Sequence, residues 1–202
     1  MSAAGESSAA GTAFLQQLRG ATAAQHQQLE TNHLSTALMG DAVTMKHYVQ
    51  YLLKMYGVMA FYEDVILPIV AEVVPDTENR KKLHSIQQDL GQIGGDYVAT
   101  AQLFQPITAK IGLPFALGYM YVIEGSTLGG RVILKHINKH LPVSEHLGAT
   151  FFSGYGADTA AHWKNFMQIL VGQAQHTGYA QEIINGANSA FTNIHTHFEH
   201  PG

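Results

Sequence analysis

The chain has 202 residues, of which 46% are hydrophobic and 13% charged, with a formal net charge of −4. Such a length and apolar share support one domain with a substantial core and exclude a disordered chain, while the acid excess leaves no basic footprint for nucleic acid. With no cysteine, disulfides, zinc–thiolate sites, iron–sulfur clusters and thiol nucleophiles are excluded, and no apolar run reaches the roughly 20 residues of a membrane span.

Along the chain the pattern is helical. The opening MSAAGESSAAGT lacks the basic segment and apolar core of a secretory signal and reads as a flexible lead over residues 1–11 of a cytoplasmic protein. A single domain over 12–202 follows. Phe14, Leu15, Leu18, Thr22 and Leu29 keep a three-to-four spacing that predicts a first helix from about Thr12 to Thr31. Gly40 and Asp41 punctuate. A second helix carries Tyr48, Leu52, Met55, Met59, Tyr62 and Ile66 and should end or bend near Pro68. Leu83, Ile86, Leu90 and Ile93 mark a third, stopped by Gly94-Gly95. Pro114 opens a fourth that runs to about Leu141. After the Ser153-Gly154-Tyr155-Gly156 loop, Asp158 is the expected N-cap of a helix bearing Trp163, Phe166 and Leu170. A last helix, Tyr179 to His200, is expected to be interrupted at Gly186. Alternating strand patterns and internal repeats are absent from the sequence. The fold class expected is all-α.

Two stretches carry chemistry. His26 and Glu30 lie four apart, which stacks them on one helix face. A metal-ligating histidine needs an acceptor at its second ring nitrogen, and a carboxylate one turn away supplies it. The same pair is also common on ordinary helices. The second stretch is YVIEGSTLGGRVI, Tyr121 to Ile133. Three glycines inside a helix cost about 3 kcal/mol relative to alanine. Gly125 and Gly129, four apart, expose a strip of bare backbone that suits either a close helix crossing or a flat ligand.

Taken together, LRGATAAQHQQLE at Leu18–Glu30 and YVIEGSTLGGR about a hundred residues later resemble the bacterial branch of the heme oxygenases. The Gly-Tyr-Gly loop, Trp163 and the Ala187–Phe191 region extend the resemblance over essentially the whole chain after the lead. It implies a helical fold with heme b, both cofactor and substrate, held between the first helix and a kinked glycine-rich distal helix. His26 is then the metal ligand with Glu30 behind it, and Gly125, Ser126, Gly129 and Gly130 form the catalytic distal face. Arg19, two turns before His26, matches a basic partner for a heme propionate; Lys164 and Tyr121 are further candidates. The family often places an aspartate after the first distal glycine, where this chain has Ser126, and the proton route is left unassigned.

The reaction so implied takes heme, O2 and electrons from an external ferredoxin or reductase to biliverdin, ferrous iron and CO. A bilin-binding photoreceptor is a candidate recipient of the product. Two alternatives stay open: a heme carrier without turnover, and a helical di-iron oxidase. The latter has only half a motif, Glu30-x-x-His33. His197 and His200 near the C-terminus read as an adventitious metal site or a solvated tail.

Overall fold

A computed structural model describes residues 3–94, 103–106 and 111–200, and Gly95 of the expected stop lies outside them. The described residues form α-helices and short turns, with no strand beyond isolated bridges at Ser144. α1 spans Ala3–Glu30 and α2 His33–Met39; α3, Met45–Phe61, passes through a π-turn, Tyr62–Ile66, into α4, Leu67–Val70. Then come α5 (Leu83–Gln92), α6 (Leu113–His140), α7 (Thr159–Gln173) and α8 (Tyr179–Glu199). Among the described residues no helix is long and apolar enough to cross a membrane.

Several boundaries differ from the sequence expectation for physical reasons. α1 reaches back to Ala3 instead of starting at Thr12, because the preceding residues are rich in alanine, the strongest helix former. It closes on α7 at Gly11, where an added Cβ would stand 2.7 Å from Val171 Cγ1. Near Pro68 the regular α-helix gives way to a π-turn just ahead of the proline, and the helix ends at Val70. α2 was not expected. Asn32 starts it, accepting from the Leu34 N–H at 2.9 Å while its amide donates to Glu199 Oε1 at 2.5 Å.

Asp158 stands at the N-cap of α7, but its side chain makes no capping bond. The Thr159 hydroxyl ties down the preceding turn instead, accepting from Tyr155 N and donating to Gly156 O. Nor does Gly186 interrupt α8. The helix runs unbroken because Gly186 serves a crossing: a Cβ there would overlap the Phe115 carbonyl of α6. One turn along the same interface, a Cβ on Gly118 would overlap the Ile183 carbonyl of α8. α6 and α8 form the most extensive helix pair, and their approach at these two glycines sets the frame on which the rest packs.

Behind α6 lies a buried polar cluster. Arg80 is fully buried and donates from Nη1 to Glu124 Oε2 at 2.5 Å and from Nε to Asp76 Oδ1 at 2.9 Å. Tyr62 and Tyr155 hydroxyls donate to the same Glu124 carboxylate at 3.1 and 2.8 Å. Burial, and then the Glu124 charge, hold the Tyr62 phenol well above its ordinary range. Burial acts to raise Asp76, but the Arg80 hydrogen bond and charge outweigh it and leave the carboxyl lowered. Every oxygen of Glu124 is satisfied, which is what permits a carboxylate in the core.

Candidate functional site

α1, α3, α6 and α8 enclose a cavity of about 610 Å³, within the roughly 300–1,000 Å³ range of small-molecule sites. α1 contributes His26, Leu29 and Glu30 to its wall, and α6 contributes Tyr121 through Ile133 in part. Met55 and Met59 come from α3, while Phe191, Ile194 and Phe198 come from α8. The lining is dominated by apolar side chains with few polar groups, as suits a large flat apolar ligand.

The glycine-rich stretch separates into three different cases. A Cβ on Gly130 would lie 2.8 Å from the Phe152 carbonyl, so this glycine serves close backbone packing. At Gly125 the neighbour is the Trp163 ring at 3.6 Å, an ordinary contact. At Gly129 nothing lies within 4 Å, and the missing side chain leaves room belonging to the cavity. Packing explains one glycine, not the strip. The cost of glycine at 129 has no structural return inside the chain, and unlike the equally open Gly20, Gly91 and Gly172 it lies on the cavity wall.

His26 is 54% exposed and opens onto the cavity. Phe191 stands edge-on to the His26 ring, with centroids 5.4 Å apart. Its Nδ1 faces Glu30 Oε2 at 3.5 Å, longer than a well-formed hydrogen bond. Nε2 is left as the ring nitrogen without that carboxylate.

The structure also brings Tyr121 to the cavity, beside Trp163 with ring centroids 5.6 Å apart. Burial raises the Tyr121 phenol, and the nearby Arg19 guanidinium opposes the rise by charge and hydrogen bond. Arg19 itself is exposed, interacts with the Tyr121 phenol and lies outside the lining. Lys164 is exposed next to Trp163 and does not line the cavity. Ser126 lines it, but its hydroxyl donates to the Ile123 carbonyl at 2.7 Å, and the Thr127 hydroxyl donates likewise to Glu124 O.

Sequence reasoning missed the buried Lys82, which lines the cavity from beyond α6. No spacing rule connects it to Tyr121–Ile133, so only the fold reveals it. His197, expected in a solvated tail, is instead packed against Phe104 at 5.2 Å with a buried, unpartnered Nε2. Burial, with the Lys54 charge in support, lowers it to about 4. Among the described residues no group of three or more His, Asp or Glu is placed to hold a metal ion.

Known proteins resemble the chain over most of its length. The sequence model of the family described as Heme oxygenase matches residues 12–200. A heme oxygenase of Xanthomonas campestris pv. campestris is 28% identical over 155 residues, 74% of this chain and 87% of that protein. Heme oxygenase PigA of Pseudomonas aeruginosa is 27% identical over 168 residues, covering 82% of this chain and 81% of its own. Among solved structures, the NO- and CO-bound heme oxygenase of Neisseria meningitidis superposes with a TM-score of 0.75 at 21% identity, covering 92% and 89% of the two chains. Heme oxygenase-1 of the cyanobacterium Synechocystis, in complex with heme, gives 0.74 at 16% identity, covering 92% and 90%.

Proposed function

The chain belongs to the heme oxygenase family, and we propose on that footing that the cavity holds heme b between His26 and the Gly125–Gly129 strip. Its reaction is the oxidative degradation of heme to biliverdin. One observation carries the proposed placement: His26 and Gly129, about a hundred residues apart, line one cavity, and Gly129 is bare with nothing near it. The residues fit the group. The volume and apolar lining suit a porphyrin, and His26 Nε2 suits its iron.

Each side chain then has a task. His26 binds the iron through Nε2, and Glu30 orients the ring through Nδ1, as a carboxylate behind a ligating histidine does. Trp163 and Phe191 seat the macrocycle from two sides. Arg19, together with Tyr121, meets a propionate, and Lys164 adds positive charge at the rim. Bound there, the heme iron supplies the centre for oxygen activation, and the porphyrin is the carbon skeleton that is cleaved. The apolar lining excludes bulk water from the reacting face. The further substrates and products are O2, ferrous iron and CO, and electrons come from an external ferredoxin or reductase. The catalytic unit is residues 12–202, with residues 1–11 as its leading extension, working in the cytoplasm.

The test is a hemin titration of wild type and His26→Ala. Wild type should bind hemin with a histidine-ligated spectrum, and the mutant should lose that ligation and most turnover. Full activity and an unchanged spectrum in the mutant would move the ligand to another histidine.

A further inference from the structure

We propose that Lys82 is the proton donor of the cavity, its ammonium handing a proton to dioxygen-derived oxygen on the α6 side of the heme. The inference rests on the heme placement proposed above. Reduction of dioxygen consumes protons, and the hydroxyls nearest the strip have none to give. Ser126 and Thr127 both spend theirs on backbone carbonyls, and α3 offers Met55 and Met59 at the wall. Tyr51 lines the cavity too, but burial pushes its phenol up to about 12.

Lys82 differs from all of these. It is only 6% exposed, yet it lines the cavity. Its seat is fixed, because the backbone N–H groups of Lys82 and Leu83 both donate to Glu63 Oε1 at 2.6 Å. Nζ lies 3.3 Å from the centre of the Tyr155 ring and donates to the Gly154 carbonyl at 3.4 Å. An ammonium carries three N–H donors, so that single long bond leaves donors unspent.

The charges around it come from three elements: Glu63 on the π-turn, Arg80 after α4, and Glu124 on α6. Burial lowers Lys82 to about 8, Glu124 and Glu63 resist the fall, and Arg80 adds to it. An acid in that range can both give and regain a proton near neutral pH. In the step, an Nζ–H bond breaks and an O–H bond forms on the acceptor oxygen. The nitrogen keeps the electron pair as a neutral amine, and water entering the cavity returns the proton.

Two substitutions separate donation from mere charge or packing. Lys82→Arg keeps a cation that can sit on the Tyr155 ring but does not release its proton. Lys82→Met keeps the stem and removes the charge. Both should bind hemin within about threefold of wild type, and both should slow bilin formation by about 100-fold or more, the usual contribution of a positioned acid. Added methylammonium should restore part of the Lys82→Met rate. In the ligand-free protein, 15N-lysine NMR should show one ammonium titrating near pH 8 that disappears in Lys82→Arg. Wild-type turnover by Lys82→Arg, or lysines that all titrate near their ordinary value, would overturn the proposal while leaving the heme placement intact. Failure of wild type to bind hemin would overturn both.

Discussion

Glycines along α6 stand there for opposite reasons. Gly118 and Gly130 are glycine because other backbone lies where a Cβ would be. Gly129, about three turns from Gly118 and so on nearly the same side of the helix, is glycine although the chain puts nothing there. The crowded positions and the buried carboxylate are consumed by folding: Glu124 by Arg80 and two tyrosines, Gly118 by α8, Gly130 by Phe152. Gly129 has no such partner and lines the cavity. Substitutions at the crowded and at the open positions should fail in different assays.

The largest effect should come from the buried polar cluster. Glu124→Ala strands Arg80 and two phenols in the core, and losing one partner of a buried pair costs about 3–5 kcal/mol. For a chain of this size that lowers Tm on the order of 10 °C, seen in the ligand-free melting curve. A shift under 2 °C would mean that the cluster holds little.

Gly118→Ala comes next, since the added methyl meets the Ile183 carbonyl and α6 and α8 must separate. The loss should reach or exceed the about 1–3 kcal/mol usual for overpacking, and Gly130→Ala should fall inside that range. Equal stability of Gly118→Ala and wild type would dissolve the contrast between crowded and open glycines.

The smallest effect is a pH dependence. His197 titrates at about 4 in the native state and about 6.5 when unfolded. Between these values the unfolded chain binds a proton that the native chain does not, so stability is lost as pH falls through the window. The slope should be no more than about 1.4 kcal/mol per pH unit, and His197→Gln should flatten it. Urea unfolding from pH 7 to 5 measures it.

Long periodic elements were readable before any coordinates, because Leu18, Leu52, Ile86, Leu170 and their like repeat at helical spacing and are buried in the core. α2 was not, since seven residues are too few to establish a period and its start depends on Asn32 reaching Glu199. The site was half readable. His26, Glu30 and the glycine strip stand in local motifs, whereas Lys82, Phe191 and the Arg80–Glu124 pair meet only through tertiary contact. A glycine in a sequence also does not say whether it is crowded or vacant. At Gly186 the crowded alternative held where an interruption was expected, and at Gly129 the vacant one did.

Gly129→Leu tests that distinction most directly, through a melting curve of ligand-free wild type and mutant run alongside hemin titration and turnover. Leucine gains nearly 1 kcal/mol of helix propensity over glycine and meets no neighbour within 4 Å of its Cβ. The mutant should therefore melt at or slightly above wild type, while hemin affinity falls at least tenfold and bilin formation is lost. A strongly destabilised mutant whose folded fraction still bound and turned over heme normally would contradict the account and place the cofactor elsewhere.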